Sequence, residues 1–483
     1  MLFNSWQFAV FFPVVTLLYF WLPHRMRVAL LLVASCVFYM AFVPKYILIL
    51  AFLIVVDYSA GILIENARGH RRKLFLVMSL CANIGILGFF KYFNFLNDNL
   101  AALAHFLDWN YSIQHLRIIL PIGLSFHTFQ SMSYTIEVYR GNVKAERSPA
   151  NFALYVMFYP QLVAGPIERP QNLLHQFREI HRFTWTNFVL GMQLMATGLF
   201  KKMVIADRAS LVVNTVYAHP NQYSGTQLLV ATWLFAVQIY CDFAGYTEIA
   251  RGAAKVMGFD LMLNFNRPYL ATSITDFWRR WHISLSTWFR DYVYVPLGGN
   301  RVSRARMCYN LAVVFVVSGL WHGANWTFIV WGALHALFMV VYVLTAGPRS
   351  RLAAPSLGSA RAVSFLGWLL TINLVTLAWV FFRAANMSDA MFVVRSIVAG
   401  SGGLGTPDLH PGLDAVQFAL LLALIAVLAA LEIVSTRTPM WTVLARQPRW
   451  VRWSAYYSFG MAFAILLFLS PQHGPQPFVY FQF

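Results

Sequence analysis

Two histidines in this chain sit where a proton-transferring side chain is costly to keep. His322 lies in Val317-Ser-Gly-Leu-Trp-His-Gly-Ala-Asn-Trp326, between a short apolar run and a longer one. An ionisable residue at hydrocarbon depth marks a functional position by default. Imidazole titrates close to neutral pH, which suits a general base. Gly319 and Gly323 flank it and allow the backbone to bend or approach closely, and Ser318, Asn325 and Trp326 are hydrogen-bonding neighbours. The competing reading is a core histidine held by a neighbouring carbonyl. His282 lies in Asp276-Phe-Trp-Arg-Arg-Trp-His-Ile-Ser-Leu-Ser-Thr-Trp-Phe-Arg290. Helical spacing places Trp278, His282 and Ser286 on one face. Arg279 and Arg290 fall elsewhere, where they suit phosphates or lipid head groups. The competing reading is a juxtamembrane anchor helix with interfacial Trp and Arg.

Other polar residues are read as structural. Asp242, at the end of an apolar run with Glu248 close behind, is expected to pair with a basic residue, one of the central arginines being the candidate. Lys201 and Lys202 are expected to snorkel. Asp57 is an isolated acid with no partner assignable from sequence, and His127 and His335 read as satisfied core histidines. The chain holds no Walker loop, dinucleotide fingerprint, G-x-S-x-G elbow or H-E-x-x-H. His282 and His322 lack the carboxylate spacing of a metal site. Cys36, Cys81, Cys241 and Cys308 are scattered singly, as core filling rather than as a disulfide or zinc set.

These residues need elements to hold them, and the composition says which. The 483 residues are 59% hydrophobic and 11% charged, against roughly 25% charged in soluble domains. Apolar runs approach twenty residues, too long for the alternating strands of a β-barrel. The expected class is an all-α polytopic membrane protein, one integral domain over residues 1–483. Eleven candidate spans follow: Phe8–Leu22, Val28–Val43, Ile47–Ile64, Leu74–Phe90, Leu116–Thr135, Phe188–Ala206, Leu228–Ala244, Trp326–Leu344, Phe365–Phe382, Val416–Val434 and Tyr457–Leu469. Phe152–Ala164 and Leu311–Leu320 look too short to cross alone. Met1 to Gln7 has no basic signal-peptide region, so the first run is expected to stay as a span. The net charge of +18 sits in short clusters between apolar runs, which sets orientation rather than binding nucleic acid. Arg25, Arg27, Arg68, Arg71, Arg72, Lys73, Arg140, Lys144 and Arg147 put their loops in the cytoplasm and the N-terminus outside, and Arg437, Arg446, Arg449 and Arg452 put a late loop inside and the C-terminus outside. Residues 251–306 are basic, aromatic and broken by Pro and Gly, as in a half-buried element on the cytoplasmic side.

Several blocks stand in order along the chain: Pro121-Ile-Gly-Leu-Ser-Phe126, Ala164-Gly-Pro-Ile167, Tyr240-Cys-Asp-Phe-Ala-Gly-Tyr-Thr-Glu-Ile-Ala250 and Asn264-Phe-Asn-Arg-Pro-Tyr269. The block around His282, Leu297-Gly-Gly-Asn-Arg301, the block around His322 and the terminal Tyr480-Phe-Gln-Phe483 complete the set. Together they resemble the membrane-bound O-acyltransferase superfamily, in its bacterial alginate O-acetylase branch. His127 departs from the aromatic residue expected at its position. The resemblance implies a ring of about eleven transmembrane helices around a thin centre, with a funnel from each membrane face. It implies catalytic roles for His322 and His282.

It also implies an O-acetyltransferase of the bacterial inner membrane, with acetyl-CoA as donor and no permanently bound cofactor. The acceptor implied is an exopolysaccharide such as alginate. A periplasmic acetyltransferase partner, an exopolysaccharide assembly complex and membrane lipid are the expected associates. Arg279, Arg280, Arg290 and Asn325 are the expected donor contacts. His322 would act as general base or carry the acetyl group itself. His282, Asn325 or a backbone N–H would hold the oxyanion. The alternatives are another acyl cargo, such as D-alanine passed to teichoic acid, a transporter of an acyl donor, or a scaffold for a secretion complex.

Overall fold

The computed structural model describes residues 1–349, 357–400, 408–436, 440–471, 474 and 476–479. Among the described residues the regular structure is helical throughout. The chain begins with α1 (Trp6–Trp21), α2 (His24–Met40), α3 (Ile47–Asn66), α4 (Gly69–Leu87) and α5 (Phe93–Phe106). Next come α6 (Leu124–Arg140), α7 (Pro149–Met157), α8 (Pro170–Leu173), α9 (Trp185–Leu199), α10 (Asp207–Ala218) and α11 (Gly225–Val256). Two short helices, α12 (Ile274–Arg280) and α13 (Ile283–Phe289), precede α14 (Arg304–His322), α15 (Trp326–Arg349) and α16 (Leu357–Arg383). The last are α17 (Met387–Ala399), α18 (Ala415–Val434), α19 (Met440–Ala445) and α20 (Arg449–Phe468). Single π-turns at Gly88–Tyr92 and Phe200–Ala206 join α4 to α5 and α9 to α10.

Among the described residues, eight helical segments are long and apolar enough to cross a membrane. They coincide with eight of the eleven sequence candidates. The other three, Phe8–Leu22, Val28–Val43 and Leu116–Thr135, coincide with α1, α2 and α6, of 16, 17 and 17 residues. The last of these differs from expectation at its start. Pro121 has no N–H to donate, and Gly123 turns the backbone left-handed (φ 77°), so α6 starts only at Leu124. The segment before it is non-helical and pinned by side chains: Tyr46 Oη donates to the Ile119 carbonyl, and Asn94 bonds Leu116 at both its N–H and its C=O. Leu311–Leu320, expected to be a partial segment, is the interior of the 19-residue α14. The terminal Tyr480–Phe483 block lies outside the described residues.

Burial orders the helices. At 1.5 Å per residue, the 32-residue α11 is about 48 Å long, against a hydrocarbon core of roughly 30 Å. Its most apolar stretch is 78% buried, whereas those of α18 and α20 are 11% and 0% buried. So α11 is the central post. The outer helices show Trp453, Tyr457, Met461 and Phe468 outward, a face that suits lipid tails. Glycines set the closest contact of the post. A Cβ on Gly198 would stand 2.5 Å from the Gly245 carbonyl oxygen, and one on Gly252 2.5 Å from that of Gly191. Seven-residue spacing on both helices thus lets α9 and α11 touch backbone to backbone.

Charged groups near this contact are paired. Lys202, 1% exposed, reaches Asp242 at 2.5 Å and Asp207 at 2.9 Å. Asp242 also accepts the Val479 N–H, and Lys202 donates to the Pro477 carbonyl, so the pair ties down the segment Pro477–Val479. The partner of Asp242 is therefore Lys202 and not a central arginine, and Lys202 points inward instead of snorkelling. Lys201 pairs with Glu248 at 2.6 Å. Asp57, fully buried, is held by Ser79, Asn83 and Ser131 from α4 and α6.

Candidate active site

His322 is the last residue of α14, and its position is fixed by how closely α14 packs on α15. A Cβ on Gly319 would stand 2.2 Å from the Phe328 carbonyl oxygen, and one on Gly332 2.3 Å from that of Phe315. The two helices form a hairpin with no room for a methyl group on either side. A helix that ends inside a protein leaves its last carbonyls without partners. Here the π-turn after α4 supplies them. Tyr92 Oη donates to the Leu320 carbonyl at 2.6 Å, and Lys91 Nζ donates to those of Trp321 at 2.7 Å and His322 at 2.9 Å. Trp321 Nε1 donates in turn to the Ser125 carbonyl near the start of α6.

The second histidine reaches the same place by a different route. Regular helical spacing predicts Trp278, His282 and Ser286 on one continuous face, but the helix breaks there. Trp281 is extended, and His282 is left-handed (φ 42°, ψ 54°) between α12 and α13. That conformation costs a non-glycine residue about 1–3 kcal/mol and persists only where its surroundings enforce it. Asn264 does so: its carbonyl accepts the Ile283 N–H, and its side chain accepts the Ser284 N–H and Oγ–H. Ser284 Oγ accepts the Ile167 N–H, which joins the Ala164–Ile167 block to the same corner. Nearby, in the loop before α8, burial pushes the Glu168 carboxyl up to about 7 although the Met262 N–H and Asn172 donate to it.

The two imidazoles meet around one indole. Ring centroids of Trp321 lie 4.9 Å from His322 and 6.2 Å from His282. Phe243, Phe126 and Phe265 also pack around His282, and Trp331 and Phe382 around His322. His322 lines a cavity of about 60 Å³ with Lys91, Gly123, Ser125, Val163 and Trp321. A wider cleft of about 440 Å³ lies beyond it, lined by Asn94, Asp98, Asn99, Asn325 and Trp326. Lys91 lines both.

The other expected site residues are more dispersed. Asn325 borders the wide cleft, but its Oδ1 accepts the Thr327 N–H at the start of α15 and its Nδ2 donates to the Ala385 carbonyl. Arg280 pairs with Asp276, and Arg290 with Asp291. Arg279 and Arg290 are exposed. None of the three arginines lines either cavity. Asp291 is also held by Arg140, at the far end of α6 from Ser125, which at 1.5 Å per residue places it about 22 Å along the helix. His335 is fully buried among Trp278, Trp331 and Phe277, and neither ring nitrogen has a hydrogen-bond partner among the described residues. It is held by ring packing, not as the hydrogen-bonded core histidine expected. The same holds for Nε2 of His127. Among the described residues no three His, Cys, Asp or Glu side chains gather as a metal site would require. Lys91 escaped the sequence reading. The signal was a lone cation at the end of an apolar run, in Gly88-Phe-Phe-Lys-Tyr92.

The family model for MBOAT, the membrane-bound O-acyltransferase family, matches residues 142–347, a stretch that holds both histidines. A probable alginate O-acetylase of Pseudomonas aeruginosa is 40% identical over 398 residues, 81% of this chain and 73% of the relative. A probable alginate O-acetylase of Azotobacter vinelandii is 37% identical over 89% of this chain and 84% of its own. A peptidoglycan O-acetyltransferase of Helicobacter pylori is 35% identical over 83% and 80%. With its multiple apolar helices and this similarity over most of its length, the chain belongs to the membrane-bound O-acyltransferase family, in the branch of the alginate O-acetylases, and is a multi-pass membrane O-acyltransferase.

Proposed function

We propose that the protein passes acetyl groups from acetyl-CoA, at the cytoplasmic face of a bacterial inner membrane, to the outer face for O-acetylation of an exopolysaccharide such as alginate. The observation that carries this reading is the small cavity at His322 and the wide cleft that adjoins it at Lys91. The space beside the imidazole is about 60 Å³, whereas the cleft beyond is about 440 Å³. Pockets for drug-sized ligands run to roughly 300–1,000 Å³. The smaller space suits a two-carbon acyl group, and the larger one suits an acceptor.

Sidedness follows from charge. Arg27, Arg68, Arg71, Arg72 and Lys73 cluster at helix ends, as do Arg140 and Arg147, and basic clusters stay in the cytoplasm. With Arg446, Arg449 and Arg452 around the start of α20 on the same side, both termini then face the periplasm. Arg279, Arg280 and Arg290 would meet the donor's phosphates, since guanidinium groups favour phosphate oxygens. The distance of about 22 Å along α6 between the Arg140 end and Ser125 fits an extended donor, as a thioester on a long arm would be.

In the reaction His322 takes the proton of the acceptor hydroxyl as its oxygen adds to the thioester carbonyl carbon. The C–S bond then breaks, the acetyl group stays on the acceptor oxygen, and the proton passes from His322 to the departing thiolate. A positioned base of this kind is worth roughly 10²–10⁴-fold in rate. A periplasmic acetyltransferase, within an exopolysaccharide assembly complex, would take the acetyl group onward to the polymer. The test is His322→Ala in the native host, with polymer acetylation and membrane levels of the variant measured together. Loss of acetylation at normal protein levels is expected; unchanged acetylation overturns the assignment. Labelled acetyl-CoA and a D-alanyl carrier protein, offered separately to membrane vesicles, decide the cargo.

A further inference from the structure

Lys91 is an ammonium inside an apolar helical segment, which is costly without partners. Among the described residues no carboxylate lies within ion-pair distance of it. Its partners are the carbonyls of Trp321 and His322, at the negative end of the α14 dipole. Nζ also stands 5.9 Å from the centroid of Trp321, the indole shared by both histidines. An ammonium has three N–H donors; two are spent on those carbonyls. The same side chain lines the small cavity with His322 and the wide cleft beyond. A π-turn, a feature frequent at functional sites, is what delivers it there.

The geometry points to Lys91 as a further catalytic residue: its third N–H serves the small cavity and stabilises the oxygen that becomes negative when the acceptor adds to the acyl carbonyl. This rests on His322 being the base. As the new C–O bond forms, the electron pair of the C=O bond moves to oxygen, and a fixed positive donor in a small cavity favours that charge. When the C–S bond breaks the pair returns. Lys91 keeps its proton throughout.

The experiment uses the full-length protein in membrane vesicles from the native host, with labelled acetyl-CoA as donor and transfer measured against its concentration. Lys91→Met is expected to lower turnover roughly 10²–10³-fold, the usual loss for one oxyanion donor, with the KM for acetyl-CoA within about threefold. Lys91→Arg, which keeps charge and donors, is expected to recover at least about tenfold of that loss. Where Lys91→Met does not accumulate, Lys91→Gln keeps donors without charge and is expected to fall between the two. Turnover of Lys91→Met or Lys91→Gln near that of the unaltered protein, while His322→Ala is inactive, overturns the inference and leaves the general base standing. Lys91→Arg as inactive as Lys91→Met, with both equally heat-labile, reduces Lys91 to a helix cap and overturns it as well. Activity of His322→Ala refutes the function itself.

Discussion

Adding one methyl group at Gly319 tests whether the α14–α15 hairpin sets the working position of His322. The substitution Gly319→Ala puts a Cβ 2.2 Å from the Phe328 carbonyl oxygen and 3.1 Å from its carbon. Ordinary contact for such a carbon starts at 3.4 Å, so the backbones must part by about 1 Å. Neither neighbour is a flexible side chain that can swing aside. Overpacking of this kind costs about 1–3 kcal/mol. Catalysis is affected as well, because His322 lies three residues on in the same helix, about one turn from the wedge. A shift of about 1 Å in a reacting group costs on the order of 100-fold in rate. Acetyl transfer from acetyl-CoA and thermal unfolding in detergent measure the two effects on one sample. Gly460→Ala, in an outer helix with nothing within 4 Å of the added carbon, is the control and is expected to be neutral or slightly stabilising. If Gly319→Ala keeps turnover within about threefold of the unaltered protein, backbone contact does not position His322 and the hairpin account is wrong.

The corner at His282 predicts a second loss. Asn264→Ala removes the acceptor for the Ser284 N–H and Oγ–H; it is expected to cost about 1–3 kcal/mol of stability and to lower acetyl transfer by at least roughly tenfold, read in the same two assays. Lys202→Met leaves Asp242 and Asp207 facing each other without their cation. Breaking a buried pair from one side costs about 3–5 kcal/mol, so the midpoint of thermal unfolding should fall sharply, and proteolysis should reach the chain end near Val479 sooner.

The parts of the fold legible in sequence are those where each residue adds independently to a sum. Hydropathy over a window behaves that way, and among the described residues eight long apolar helices stand where it places them. The motif around His322 was equally legible, since Gly319 and Gly323 beside an intramembrane imidazole are local facts. The break at His282 was not. The spacing of Trp278, His282 and Ser286 is that of an unbroken helix, and what breaks it is Asn264, some twenty residues earlier in the chain. The start of α6 depended on Pro121 and Gly123, punctuation that window hydropathy ignores. The partner of Asp242 lay forty residues back at Lys202. Lys91 was hidden most completely. Its partners are backbone carbonyls more than two hundred residues away, and a carbonyl has no sequence signature.

That last point bears on why the site is built at a helix end at all. Ending α14 inside the bundle exposes carbonyls that water would otherwise satisfy, and in hydrocarbon each bare polar group costs several kcal/mol. The fold must therefore bring donors to Leu320, Trp321 and His322 whatever chemistry follows. Tyr92 and Lys91 are those donors, delivered together by one π-turn. Once an ammonium is drawn in to cap the helix, it stands beside the imidazole that the helix carries and lines the same small cavity. Structural need and chemical use then fall on the same atoms. For that reason deleting the side chain cannot separate them, whereas exchanging its charge, reach and donor number one at a time can.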